Sequence, residues 1–217
     1  SSDLSGTLTL VVLALIMSVP LGILTALYLT EIRGRFAKPI KFLVQAMSGV
    51  PSIVAGLFIL SAVLYPITKG YSGFMGALAL TILMIPTVAR TSEEVLNLIP
   101  QDLREAGTAL GGTQWRTVAM IVLPAARSGL ITAMILGVAR IAGETAPLLL
   151  LTGGGDKVNG NPFSGPLGSL PYYIWKSFNA GSEEAITRAW AGLLVLVVLI
   201  LILFTTARFL STRKVSR

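Results

Sequence analysis

The chain has 217 residues, of which 53% are hydrophobic and 12% charged, with a net charge of +7 and a mean hydropathy of +0.79. A soluble domain usually carries about a quarter charged residues, and a disordered chain is poorer in Leu, Ile, Val and Phe, so neither class fits. With no cysteine and no histidine, a disulfide framework, a thiolate metal site, haem ligation and histidine-dependent hydrolysis drop out as well.

In chain order, five apolar segments are predicted, at about 6–30, 42–65, 74–91, 129–152 and 189–210. Each is long enough to cross a bilayer, which takes about 20 apolar residues. The fold class is therefore all-α, a polytopic transmembrane helical bundle over 1–217 that forms a single domain. Pro20, Pro51, Pro86 and Pro147 fall within or near the ends of four of these runs, where a missing N–H kinks a helix and frees a carbonyl. Ser48, Ser52 and Gly56, spaced by four with Gly49 beside them, form a small-residue stripe that would let a neighbouring helix approach.

The loops carry the charges. Arg33, Arg35, Lys38 and Lys41 follow the first span, Arg90, Arg104, Arg116 and Arg127 follow the third, and Arg208, Arg213, Lys214 and Arg217 close the chain. Those twelve face one side; Lys69, Lys157, Lys176 and Arg188 make four on the other. The asymmetry places the tail in the cytoplasm. Scattered in this way, the positive charge sets topology and does not form a nucleic-acid stripe. An odd number of spans then puts residue 1 outside, so a sixth span is expected upstream in the full-length protein, and Ser1-Ser2-Asp3-Leu4 reads as a truncated start.

Two loops are long. The external one, about 153–188, opens with Gly153-Gly154-Gly155 and is rich in turns, with a short helix predicted around Leu170 to Phe178. The cytoplasmic one, about 92–128, reads as two short helices on the membrane face, the second from Gln114 to Leu123 and stopped by Pro124, joined at Gly111-Gly112.

That cytoplasmic loop contains Glu105-Ala106-Gly107, three residues, Gly111, nine residues, then Ile121-Val122-Leu123-Pro124. It resembles the E-A-A-x3-G-x9-I-x-L-P signature of permease subunits of binding-protein-dependent ABC importers, the MetI-like fold. The departure is Gly107, where the family commonly has Ala, at a helix-propensity cost of about 1 kcal/mol. The resemblance implies that Glu105, Ala106, Gly107, Gly111, Ile121, Leu123 and Pro124 mark the loop that couples the permease to an ATPase. An interfacial helix that merely anchors the loop is the competing reading.

A second constellation, Ala139-Arg140-Ile141-Ala142-Gly143-Glu144-Thr145-Ala146-Pro147, lies in the fourth segment. Arg140 is about 11 residues, or roughly 17 Å, from the inner start of that span, near mid-bilayer. A charge there costs at least about 3 kcal/mol and should face a bundle interior or an aqueous path. Glu144, four residues on, shares its helical face. A guanidinium fork suits an oxyanion, and a carboxylate can accept a proton-bearing oxygen from hydrogen phosphate while repelling sulfate.

The stretch R-x-x-G-E-T-A-P, together with Ile85 to Glu93 and Leu170-Pro171-Tyr172-Tyr173-Ile174, resembles permeases of the phosphate-specific (Pst) importer, of PstA type. The resemblance implies anion handling by Arg140, Glu144 and Thr145, with Arg90 a further candidate. Arg90 can equally be a positive-inside anchor paired with Glu93 or Glu94, and Arg140 with Glu144 a structural ion pair. It also implies these partners: a homologous PstC-type permease, two cytoplasmic ABC ATPase subunits of PstB type, an external phosphate-binding protein of PstS type, inorganic phosphate and membrane lipid, with no nucleic acid. The chain has no G-x-x-x-x-G-K-[ST] loop, so it is read as a transport subunit, not an enzyme, with no cofactor or metal of its own; ATP and Mg belong to the ATPase. A permease of the same fold for sulfate, molybdate or phosphonate, and an ATP-independent anion channel, are the alternatives.

Overall fold

The computed structural model describes residues 2–155 and 158–213; Lys157, Lys214 and Arg217 of the charge pattern lie outside them, as does the side chain of Arg213. Every regular element among the described residues is helical. α1 (Ser2–Leu27) extends through a π-helical turn, Tyr28–Ile32, and is followed by α2 (Ala37–Ser48) and α3 (Ser52–Ile59), which runs on as π-helix to Thr68. Then come α4 (Gly73–Asn97), α5 (Gln101–Ala109), α6 (Gln114–Thr117), a π turn over Val118–Val122, α7 (Leu123–Ala142), α8 (Ala146–Leu151), α9 (Leu170–Asn179) and α10 (Glu183–Arg213).

Among the described residues, four helices are long and apolar enough to cross a membrane: Ser2–Ile32, Gly73–Asn97, Gln114–Ala142 and Glu183–Thr206. The second predicted span, 42–65, is not straight. It breaks at Gly49-Val50-Pro51 into α2 and α3, which meet at 107°. Pro51 donates no N–H and disfavours helical backbone in the residue before it, so the helix ends there. The small-residue stripe is split by that bend: Ser48 closes α2, while Gly56 faces α8, where an added Cβ would lie 2.9 Å from Pro147 Cα.

The fourth predicted span, 129–152, is also redrawn. The helix starts at Gln114, passes Pro124 without stopping and ends at Ala142; α8 is a separate short helix. Pro124 is tolerated because it follows the wide π turn at 118–122 and sits in the first turn of α7, where its missing N–H costs least. Gly143 then caps α7, and Pro147 opens α8. The second amphipathic stretch of the cytoplasmic loop is therefore the beginning of a span.

α4 is the centre of the bundle. Of its most apolar stretch 67% is buried, against 17% for α10, which faces outward. Leu10 and Ala14 of α1, Leu80, Met84 and Val88 of α4 and Ile141 of α7 form one core; Ala26, Leu96, Val122, Ala126 and Leu130 form a second nearer α5. In lipid such contacts gain by close van der Waals fit. Gly22 lets α1 approach Val88, and Gly137 lets α7 approach Met84.

The loops sort to two ends. A hydrogen-bonded pair between Arg104 and Glu31 brings the segments after α1 and α4 together. At the opposite end, Ser72 bridges to Gly165 and Gly153 to Leu167, while the Leu170 N–H donates to Thr7 Oγ1 (2.8 Å).

Candidate transport site and docking surface

Arg140 stands in the last turn of α7, just before the break at Gly143-Glu144-Thr145. Its guanidinium is exposed in the isolated subunit and donates to Thr87 Oγ1 of α4 (3.1 Å). Among the described residues no ion pair joins it to Glu144. The i,i+4 spacing would pair them on a continuous helix, but α7 ends at Ala142, and Glu144 leaves the helical track with its N–H donating to the Ile141 carbonyl (3.2 Å). Glu144 and Thr145 are half-buried in the break.

Arg90 likewise does not pair with its own-helix acids. Its guanidinium donates to Ser48 Oγ (3.3 Å), while Glu93 accepts from Lys41 Nζ of α2 (2.7 Å). Thr87 and Arg90 are three residues apart, about 4.5 Å along one face of α4. Two guanidiniums thus approach one strip of α4, each held by a hydroxyl, and neither has a carboxylate within ion-pair distance among the described residues. Hydroxyls leave the positive charge uncancelled, and guanidinium N–H groups not engaged by them can take oxyanion oxygens in a fork.

At the end carrying α5, the motif residues divide by role. Glu105 and Ala106 are exposed, while Gly107 is buried where an added Cβ would sit 2.6 Å from Thr117 Cγ2 and 2.8 Å from Ile121 Cδ1. The departure from Ala at 107 thus serves close approach of α5 to the following helix. Gly111 has φ +80°, and the Gly111 and Gly112 N–H groups donate to the Thr108 and Gly107 carbonyls, closing α5 with a left-handed cap. Thr113 Oγ1 then accepts from the Arg116 N–H to start α6. Ile121 and Leu123 are half-buried, and Pro124 is exposed. Leu98 (80%), Leu110 (88%) and Trp115 (62%), in and around this turn, are large apolar side chains left exposed, as is Glu105.

Sequence reasoning missed the residues that hold this turn. Arg104, counted only as a topology charge, donates through Nη2 to Glu31 Oε1 (2.9 Å) and to the Leu96 carbonyl (2.8 Å), and through Nη1 to the Ile99 carbonyl (2.6 Å). Gln114 Nε2 donates to the Glu31 carbonyl (2.7 Å). One signal pointed there: Glu31 is the single acidic residue between Asp3 and Glu93.

The model of the family described as "Binding-protein-dependent transport system inner membrane component" matches residues 18–216. The chain belongs to that family. Among its relatives, this permease is 43% identical to the phosphate transport system permease protein PstA of Mycobacterium leprae over 98% of the chain and 71% of the relative. It is 38% identical to the PstA of Pasteurella multocida over 96% and 75%. Its fold is similar to that of a chain of the inward-facing methionine ABC transporter MetNI, at TM-score 0.79 and 20% identity, covering 100% of this permease and 94% of that chain. A bacterial ABC transporter for alginate import is similar at TM-score 0.74 and 16% identity, covering 100% and 79%. Both likenesses concern the fold alone.

Proposed function

We propose that this multi-pass membrane protein is the PstA-type permease subunit of an ATP-driven importer that carries inorganic phosphate across the plasma membrane by alternating access. The observation that carries the reading is a pair of guanidiniums at one strip of α4, Arg140 held by Thr87 of α4 and Arg90 of α4 held by Ser48 of α2, with no carboxylate partner among the described residues. Relatives named as phosphate transport permeases, matched over nearly the whole chain, support the same substrate. Arg140 binds the anion, Arg90 receives it one turn along α4, and Glu144 with Thr145 lies beside Arg140 at the helix break. A half-buried carboxylate there accepts the P–OH proton of hydrogen phosphate and repels a fully ionised sulfate.

The exposed patch around Glu105 and Leu110 docks a cytoplasmic ATPase, which binds ATP and Mg; this chain supplies no catalytic residue. Two such PstB-type subunits, a PstC-type permease and an external PstS-type phosphate-binding protein complete the machine. The loop from 98 to 113 and the C-terminus face the cytoplasm, and the 153–168 segment faces outward to the binding protein. The test is the assembled complex in liposomes. Phosphate with its binding protein should raise ATP hydrolysis and drive uptake, and sulfate should do neither; equal stimulation by sulfate overturns the phosphate reading.

A further inference from the structure

The α5–α6 turn carries the exposed docking face, yet the close packing of α5 is with the helix that follows it. Its tie to the rest of the bundle is polar. The Glu31 side chain is only 8% exposed and Arg104 24%, and the guanidinium meets the carboxylate through Nε (3.1 Å) and Nη2 (2.9 Å). Further N–H groups of the same guanidinium reach the Leu96 carbonyl, in the last turn of α4, and the Ile99 carbonyl just past its end, where a cation is favoured by the helix dipole. Through Gln114 the Glu31 backbone also holds the start of α6. One arginine on the docking helix therefore grips the ends of both α1 and α4, and one glutamate on α1 grips both α5 and α6.

We infer that the Glu31–Arg104 clamp is the positioning joint through which movement of the docked ATPase reaches α1 and α4 as one rigid displacement. An ion pair that is largely withdrawn from water and locked by further hydrogen bonds resists bending at the joint, unlike a surface pair. Leu96, which the clamp grips, is six residues from Arg90, about 9 Å along α4. A push on α5 therefore moves the strip that holds Thr87 and Arg90 relative to Ser48 of α2, a rigid-body way to release an anion.

The inference rests on α5 and α6 being the ATPase docking surface. In the full complex in liposomes, Glu31→Gln and Arg104→Gln should each leave ATP hydrolysis running while solute taken up per ATP falls roughly tenfold, with Arg104→Lys falling less. The double variant should be no worse than the worse single one. Unchanged uptake per ATP in the single variants, or additive losses in the double, overturns the proposal. Because the chain has no cysteine, spin labels on Leu24→Cys and Ala109→Cys give a readout independent of solute. Their separation in the assembled complex should stay fixed between nucleotide-free and ATP-bound states and vary once Glu31→Gln is added. A separation that changes with nucleotide in the otherwise native chain shows that α5 moves apart from α1 and sinks the joint. Failure of phosphate to stimulate hydrolysis in the native complex would refute the substrate and leave this distance result standing.

Discussion

At the scale of single residues, Arg140 shows how a helix end changes the meaning of a charge. On a continuous helix it would be neutralised by Glu144; with α7 ending at Ala142 it turns to a threonine hydroxyl on α4. A charge inside a membrane protein without a countercharge is costly, so a ligand that neutralises it binds there with advantage. Arg140→Gln should reduce phosphate uptake in liposomes by at least about 100-fold, since a charge-assisted fork is lost, while the variant still co-purifies with its ATPase. Near-normal uptake would make Arg140 structural. Thr87→Val removes only the hydroxyl that orients the guanidinium. It should raise the KM for phosphate several-fold and leave the maximal rate within about threefold; a collapse of the maximal rate with KM unchanged would contradict the positioning role.

Among the elements, the α5–α6 turn is decided by backbone geometry. Gly111 lies at φ +80° with open space where a Cβ would be, so substitution there meets strain and not a clash. The left-handed region costs a β-branched residue roughly 1–2 kcal/mol or more, and asparagine much less. Gly111→Val should therefore weaken recovery of the ATPase with the permease, and Gly111→Asn should largely preserve it, checked by quantitative co-purification. At Gly107 the logic reverses, because the space is filled by Thr117 and Ile121. Gly107→Leu should lose coupled ATP hydrolysis even though leucine is a far better helix former than glycine.

For the molecule as a whole, the two sets of loops lie at opposite ends, and the strip of α4 proposed to handle the anion runs between them. On that proposal, a docking event at one end and substrate arrival at the other are linked by movement of the central helix alone. A machine of this kind conducts only when driven. Liposomes containing the permeases without the ATPase should release no radiolabelled phosphate down its gradient; a steady leak would identify a channel.

Much of this was legible in the chain itself. Hydropathy alone demands several membrane-crossing helices, because no soluble core absorbs so many apolar side chains. Gly111, after Glu105, marks the tight turn between α5 and α6, since glycine takes φ +80° at the least cost. What hydropathy cannot give is where an apolar run stops being one helix. The 107° bend at Gly49-Val50-Pro51 and the end of α7 at Gly143 fall inside runs that mean hydropathy reads as single spans, and the packing that accommodates them, Pro147 against Gly56 in one case, exists only in the folded bundle. Partner choice among the charges was hidden for the same reason. Lys41 takes Glu93, Arg104 takes Glu31 across 73 positions, and Arg140 takes a threonine, because ionic partners are set by distance in the folded bundle and not by separation along the chain.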